Sequence, residues 1–186
     1  EQGNLIGIMG ASGSGKTTLL NVLSGNYKPT AGEVKINDIQ LFNQAEKLKG
    51  VIGYVPQDDL LIEELTVYEN LLYNARFCFR DLTPSEIAER VDQTLKALDL
   101  IEKKDLKVGS VLNKTISGGQ RKRLNIALEL IREPSILYLD EPTSGLSSRD
   151  SENVMNLLRE LTIKGKLIFI VIHQPSSEIY KLFDKV

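Results

Sequence analysis

Gly10-Ala11-Ser12-Gly13-Ser14-Gly15-Lys16-Thr17 is the stretch that decides the fold. The aliphatic residues 5–9 precede it, helix-patterned residues 17–24 follow it, and Gly25 is placed to end that helix. A strand that turns through glycines into a helix is a cradle for phosphate. The glycines let the backbone curl so that its N–H groups point at phosphate oxygens, and the helix dipole adds positive potential there. In that setting Lys16 meets the β- and γ-phosphates and Thr17 offers a hydroxyl to Mg²⁺. The residues expected around the phosphates are Gly10, Ser12, Gly13, Ser14, Gly15, Lys16, Thr17 and Thr18.

Working outward, short aliphatic or β-branched runs recur at residues 33–36, 51–55, 136–139 and 167–172, bounded by Gly, Pro or acidic residues. Several are apolar throughout, as strands buried on both faces are, and helical stretches separate them. The expected architecture is α/β, a mostly parallel sheet covered by helices. Thr66-Val67-Tyr68-Glu69 and Thr83-Pro84-Ser85-Glu86 both have the form of capping boxes, so residues 60–132 are expected to be mainly helical and to form a lobe within one domain.

Composition limits the rest. With 41% hydrophobic residues in 186, the chain can bury a core, and 23 basic against 25 acidic residues give a net charge of −2, which argues against a nucleic-acid partner. Cys78 is the only cysteine, so neither an intrachain disulfide nor a Cys-rich metal site is expected, in keeping with a reducing compartment. No apolar run approaches the ~20 residues of a membrane span. Since the sequence opens on Glu1 rather than Met, it is expected to be a piece of a longer protein, with any membrane-spanning part elsewhere.

Two further motifs carry chemistry. Ile136-Leu137-Tyr138-Leu139-Asp140-Glu141 is an apolar strand ending in two carboxylates, which a parallel sheet places beside the phosphate loop. Asp140 is expected to hold Mg²⁺, and Glu141 to orient or deprotonate an attacking water. Ser117-Gly118-Gly119-Gln120 has the form of a Ser-x-x-Gln capping box and opens a helix expected to run to about residue 132. Its two glycines weaken the helix start and expose N–H groups suited to an anion, while Arg121, Lys122 and Arg123 oppose the helix dipole unless an anion or an acidic partner is near. A phosphate beside Ser117 would satisfy both.

In order and spacing, residues 10–17, Gln57, Ile116 to Gln120, Asp140-Glu141, Ser144-Gly145-Leu146 and His173 resemble the motifs of the ATP-binding-cassette (ABC) ATPases. The resemblance covers nearly the whole chain. It implies a P-loop NTPase fold with a helical subdomain inserted between Walker A and Walker B, using ATP and Mg²⁺. It also implies that Gln57 senses Mg²⁺ and the γ-phosphate, that Ser117, Gly118, Gly119 and Gln120 form the signature, and that His173 is the switch histidine. Gln57-Asp58-Asp59, Leu65 to Leu71, the Arg-Lys-Arg after the signature and Ile172 to Ser176 look most like the G subfamily of lipid and sterol exporters. Implied partners are a second nucleotide-binding domain, in a head-to-tail dimer, and transmembrane domains reached through residues 58–80 from the cytoplasmic face of a membrane. A soluble ATPase of the same family, acting on a ribosome, DNA or a regulatory partner, is the alternative. A GTPase-like switch is set aside because Asn113-Lys114-Thr115-Ile116 lacks the final Asp. The chain departs from the family at Ser147, where the D-loop usually carries Asp, and at the upstream aromatic that stacks on adenine, which is missing from it.

Overall fold

A computed structural model describes residues 2–110 and 115–186, so of the Asn113-Lys114-Thr115-Ile116 stretch only Thr115 and Ile116 are among the described residues. In chain order the elements are β1 (Leu5–Ile8), α1 (Lys16–Ser24), β2 (Lys35–Ile36), β3 (Ile39–Gln40), β4 (Ile52–Val55), α2 (Val67–Cys78), α3 (Pro84–Ala97), α4 (Gly118–Leu130), β5 (Ile136–Asp140), α5 (Ser148–Ile163), β6 (Leu167–Val171) and α6 (Ser177–Tyr180). They divide into two compact units. One comprises Glu1–Gln57, Pro134–Ser144 and Leu158–Val186, the other Asp58–Glu133 and Gly145–Leu157. No local pattern in the sequence groups residues 145–157 with the helical stretch.

The first unit is built on a four-stranded parallel sheet in the order β1-β6-β5-β4. Strand β5 is buried at every residue, as an aliphatic strand in the middle of such a sheet must be. Leu20 of α1 packs with Ile136, Tyr138 and Val171, and the rings of Tyr138 and Phe169 stack with centroids 5.0 Å apart. Burial also pushes the Tyr138 hydroxyl up to a pKa of about 12.

The expected strand at residues 33–36 shrinks to two residues and lies outside this sheet, pairing antiparallel with β3. Asn37 and Asp38, at φ 48 and 64, supply the two left-handed positions of a tight hairpin turn and direct the chain back on itself.

Three helices make up most of the second unit. Both expected capping boxes are present: Thr66 pairs reciprocally with Glu69, and Thr83 with Glu86, with Pro84 at the first helical position. Helix α2 buries Val67, Leu71 and Ala75, and α3 buries Ile87, Val91 and Leu95, each set recurring every fourth residue. A buried side chain of this kind contributes about 1.5–3 kcal/mol. Asn70 pins the approach to α2, accepting from the N–H of Ile62 at 2.8 Å and donating to the carbonyls of Ile62 and Thr66 at 3.0 Å. Helix α4 stops at Leu130, two residues short of expectation. Pro134 disfavours a helical residue before it, and Glu133 takes a left-handed φ of 54.

Candidate functional site

The carboxyl ends of all four parallel strands carry the residues singled out in the sequence. The glycine-rich loop follows β1, Gln57 lies two residues beyond β4, Asp140 ends β5 with Glu141 next, and His173 comes two residues after β6. Ligands of such sheets bind at that edge. A cleft of about 320 Å³ opens there, lined by Ser12, Gly13, Gly15, Lys16, Thr17, Thr18, Glu141 and His173. Asp140 sits behind it, buried at 3% exposure. Gln57 is exposed in the loop after β4 and is not part of the lining.

Gly13 and Gly15 adopt φ 75 and 86, backbone that only glycine takes without strain, and this turns the chain into α1. Helix α1 has no side-chain cap and no acidic residue in its first turn, so its leading N–H groups are left for an anion. Lys16 lies in the first turn and is 8% exposed, with its ammonium donating to the carbonyls of Gly10 at 3.0 Å and Ala11 at 2.8 Å. Thr17 Oγ1 donates to Asp140 Oδ1 at 3.2 Å. This hydroxyl beside a carboxylate is an all-oxygen pair suited to a hard cation such as Mg²⁺.

Glu141 has the left-handed φ of 47 that is uncommon outside glycine, and its N–H donates to Val171 O at 3.0 Å. Such strain, ~1 kcal/mol or more, persists where surrounding structure enforces it. Here it turns the side chain to within 3.3 Å of His173, Oε1 to Nε2. Gln174, directly after His173, is left-handed too, at φ 39.

Behind the loop lies a polar support that sequence reasoning missed. Asn21, one turn along α1 from Thr17 and nearly buried, donates to Thr17 O at 2.9 Å and accepts from Asn26 at 3.0 Å. It also hydrogen-bonds Tyr54 on β4, whose hydroxyl is pushed up first by burial and then by the nearby Asp140 carboxylate. A polar residue on the face of α1 turned toward the sheet was the available signal.

The Ser117 motif belongs to the second unit. Ser117 caps α4 in a full capping box: its Oγ accepts from the Gln120 N–H at 3.2 Å, and Gln120 Oε1 accepts from the Ser117 N–H at 2.8 Å. The cations after the motif do not depend on phosphate, because Arg121 forms a two-pronged pair with Asp59 at 3.0 and 3.2 Å and Arg123 pairs with Asp99 at 3.1 Å. Nor do Gly118 and Gly119 serve only to expose N–H groups. A Cβ on Gly118 would lie 3.1 Å from Leu146 Cδ2, and one on Gly119 would lie 2.5 Å from Asp150 Oδ1. Ser147 is the N-cap of α5, accepting from the Asp150 N–H at 3.1 Å and donating to Asp150 Oδ2 at 3.1 Å. Ser147-x-x-Asp150 has the spacing of a capping signal, so the residue at the departing position 147 has a structural role in this chain.

Known proteins place this arrangement. The sequence profile of the ABC transporter family matches residues 1–144. "ABC-type transporter claG" of Penicillium crustosum is 44% identical over 98% of this chain and 24% of its own length. "ABC transporter G family member 28" of Arabidopsis thaliana is 41% identical over 98% of the chain and 16% of its own length, and "Protein white" of Drosophila melanogaster is 41% identical over 99% and 28%. The chain thus spans about a quarter or less of the first two and slightly more of the third. Among the described residues no helix is long and apolar enough to cross a membrane. With the family matched over its first three quarters, and with G-subfamily relatives aligned along almost all of its length, this chain belongs to the ABC transporter family, as an ATP-binding ATPase domain of the G type.

Proposed function

We propose that this domain powers a membrane exporter by hydrolysing MgATP at two sites shared between two copies, or between this chain and a similar domain. The observation that carries it is the single cleft in which the phosphate loop, Glu141 and His173 meet. The backbone N–H groups of residues 10–18 and the Lys16 ammonium bind the β- and γ-phosphates. Thr17 Oγ1 and Asp140 Oδ1, with Gln57, would hold Mg²⁺, which would supply positive charge against the phosphates. Glu141 accepts the proton of a water as its oxygen bonds to the γ-phosphorus, and the bond to the β–γ bridging oxygen breaks to release ADP. His173, 3.3 Å from Glu141, orients that carboxylate and contacts the γ-phosphate.

One copy's Ser117, Gly118, Gly119 and Gln120 clamp the γ-phosphate held by the other in a head-to-tail dimer, so ATP closes the pair and hydrolysis reopens it. Residues 58–80 pass this motion to transmembrane domains, with the unit on the cytoplasmic face. Relatives named as transporters favour this over a soluble ATPase working on a ribosome or DNA.

In the full-length protein, Glu141→Gln keeps ATP binding and lowers hydrolysis at least ~100-fold, because an amide cannot take the proton. Turnover at the wild-type rate would move the base role to another residue.

A further inference from the structure

The first turn of α4 is already occupied by a negative charge. Asp150 Oδ1 lies 2.5 Å, Cγ 2.8 Å and Cβ 3.0 Å from the point where a Cβ on Gly119 would stand, so the carboxylate rests directly on the Gly119 backbone. It is held there from its own helix, where Ser147 Oγ donates to Oδ2 at 3.1 Å and accepts from the Asp150 N–H at 3.1 Å. Gly119 is buried under this contact, and Leu146 covers Gly118 from the same segment. Among the described residues, Oδ1 has no hydrogen-bond donor and Asp150 no cationic partner, so the charge on that side is uncompensated except by the helix itself.

An anion near a helix N-terminus is stabilised by the leading N–H groups and the dipole. A second anion arriving at the same turn meets the first one's repulsion. Resting on the reading that Ser117 to Gln120 clamp a partner's γ-phosphate, we propose that Asp150 is a built-in counter-charge to that motif, which weakens its grip on ATP and so raises the ATP concentration at which two copies close. The pairing with Ser147 fixes the carboxylate against Gly119 instead of letting it swing away from the phosphate. The gain to the cycle is release: a clamp that holds less tightly lets go sooner after the γ-phosphate is cut. Asp150 is a positioning and tuning residue here, acting through the field at α4 and not by touching the reacting atoms.

The test uses the full-length protein with Asp150→Asn, which keeps the size of the side chain and an acceptor for Ser147 but removes the charge. Half-saturating ATP for hydrolysis and for ATP-dependent association falls about three- to tenfold, the size expected for one charge acting across several ångströms at a protein surface. At the same time kcat falls, because reopening slows. The shift shrinks as salt is raised to about 0.5 M, since charge repulsion is screened and packing is not. Asp150→Ala, measured beside it, moves half-saturation in the same direction even though it loosens the helix start. Damage to structure alone would raise half-saturating ATP and be indifferent to salt. Half-saturation that is unchanged or higher in both variants overturns the proposal. If the wild-type protein itself shows no ATP-dependent association, the trans-acting role of Ser117 fails first, and that result is separable because it needs no variant.

Discussion

Lys16 and Arg121 are both cations buried to similar depth, 8% and 5% exposed, and they solve opposite problems. Among the described residues Lys16 has no carboxylate partner. Its ammonium is satisfied by two backbone carbonyls, whose dipoles give hydrogen bonds without cancelling a full charge. Arg121 is saturated: a fork onto both oxygens of Asp59, with further bonds to the carbonyls of Val108 and Gly109. The helix starts repeat the contrast, since α1 begins with no side-chain cap while α2, α3 and α4 all begin with capping boxes. Where charge and N–H groups are left unanswered, the chain is prepared for a ligand. Where they are answered internally, the chain is held in shape.

Lys16→Ala removes the one lysine or arginine that lines the cleft among the described residues, and ATP affinity drops at least ~100-fold, in line with losing charge-assisted bonds to phosphate. The melting temperature stays near wild type because only loop carbonyls lose a partner. Calorimetric titration with affinity unchanged would remove the phosphate role.

Arg121→Ala reverses the pattern. It leaves Asp59 and two carbonyls unanswered, and folding stability falls by about 2–4 kcal/mol, as for other buried pairs broken on one side. Arg121→Lys restores little, because an ammonium cannot span both carboxylate oxygens. Denaturant unfolding at the wild-type midpoint in both variants would show the clasp to be idle.

At Gly119 the expected effect is smaller. Gly119→Ala gains helix propensity of up to ~1 kcal/mol but forces a methyl onto the Asp150 carboxylate, and overpacking of this sort costs about 1–3 kcal/mol. A net loss of about 1 kcal/mol is expected in thermal unfolding, mostly recovered when Asp150→Ala is added. Losses that simply add in the double variant would mean that the two residues do not press on each other.

Features decided by near neighbours were legible in the sequence. The phosphate loop, the parallel strands at 52–55, 136–140 and 167–171, and the capping boxes at Thr66, Thr83 and Ser117 each depend on residues within a few positions of one another. Asn37-Asp38 was also local, yet the β-rich look of residues 33–36 hid the turn beside it. What could not be read was pairing at a distance. Arg121 is 62 positions from Asp59, and Gly119 is 31 from Asp150, so nothing in either neighbourhood names the other. For the cations, a phosphate and a distant carboxylate were alternatives that only the fold could separate, and glycines with hidden neighbours looked like exposed backbone. The convergence of Glu141 with His173 was implied only by the family motif, since the sheet order β1-β6-β5-β4 sets it.

Strands β5 and β6 run in step, Ile136 opposite Leu167 through Asp140 opposite Val171, and the next N–H, that of Glu141, is bonded to Val171 O. This ladder works as a ruler. Deleting one residue from either strand would draw the group at its end back by about 3.3 Å and turn it to the other face of the sheet. Substitution in these strands is a question of volume, whereas a change of length by a single codon is a question of whether Glu141 and His173 meet at all. Insertions and deletions in descendants of this sequence should therefore collect in the loops of the helical unit and leave residues 136–141 and 167–173 at constant length.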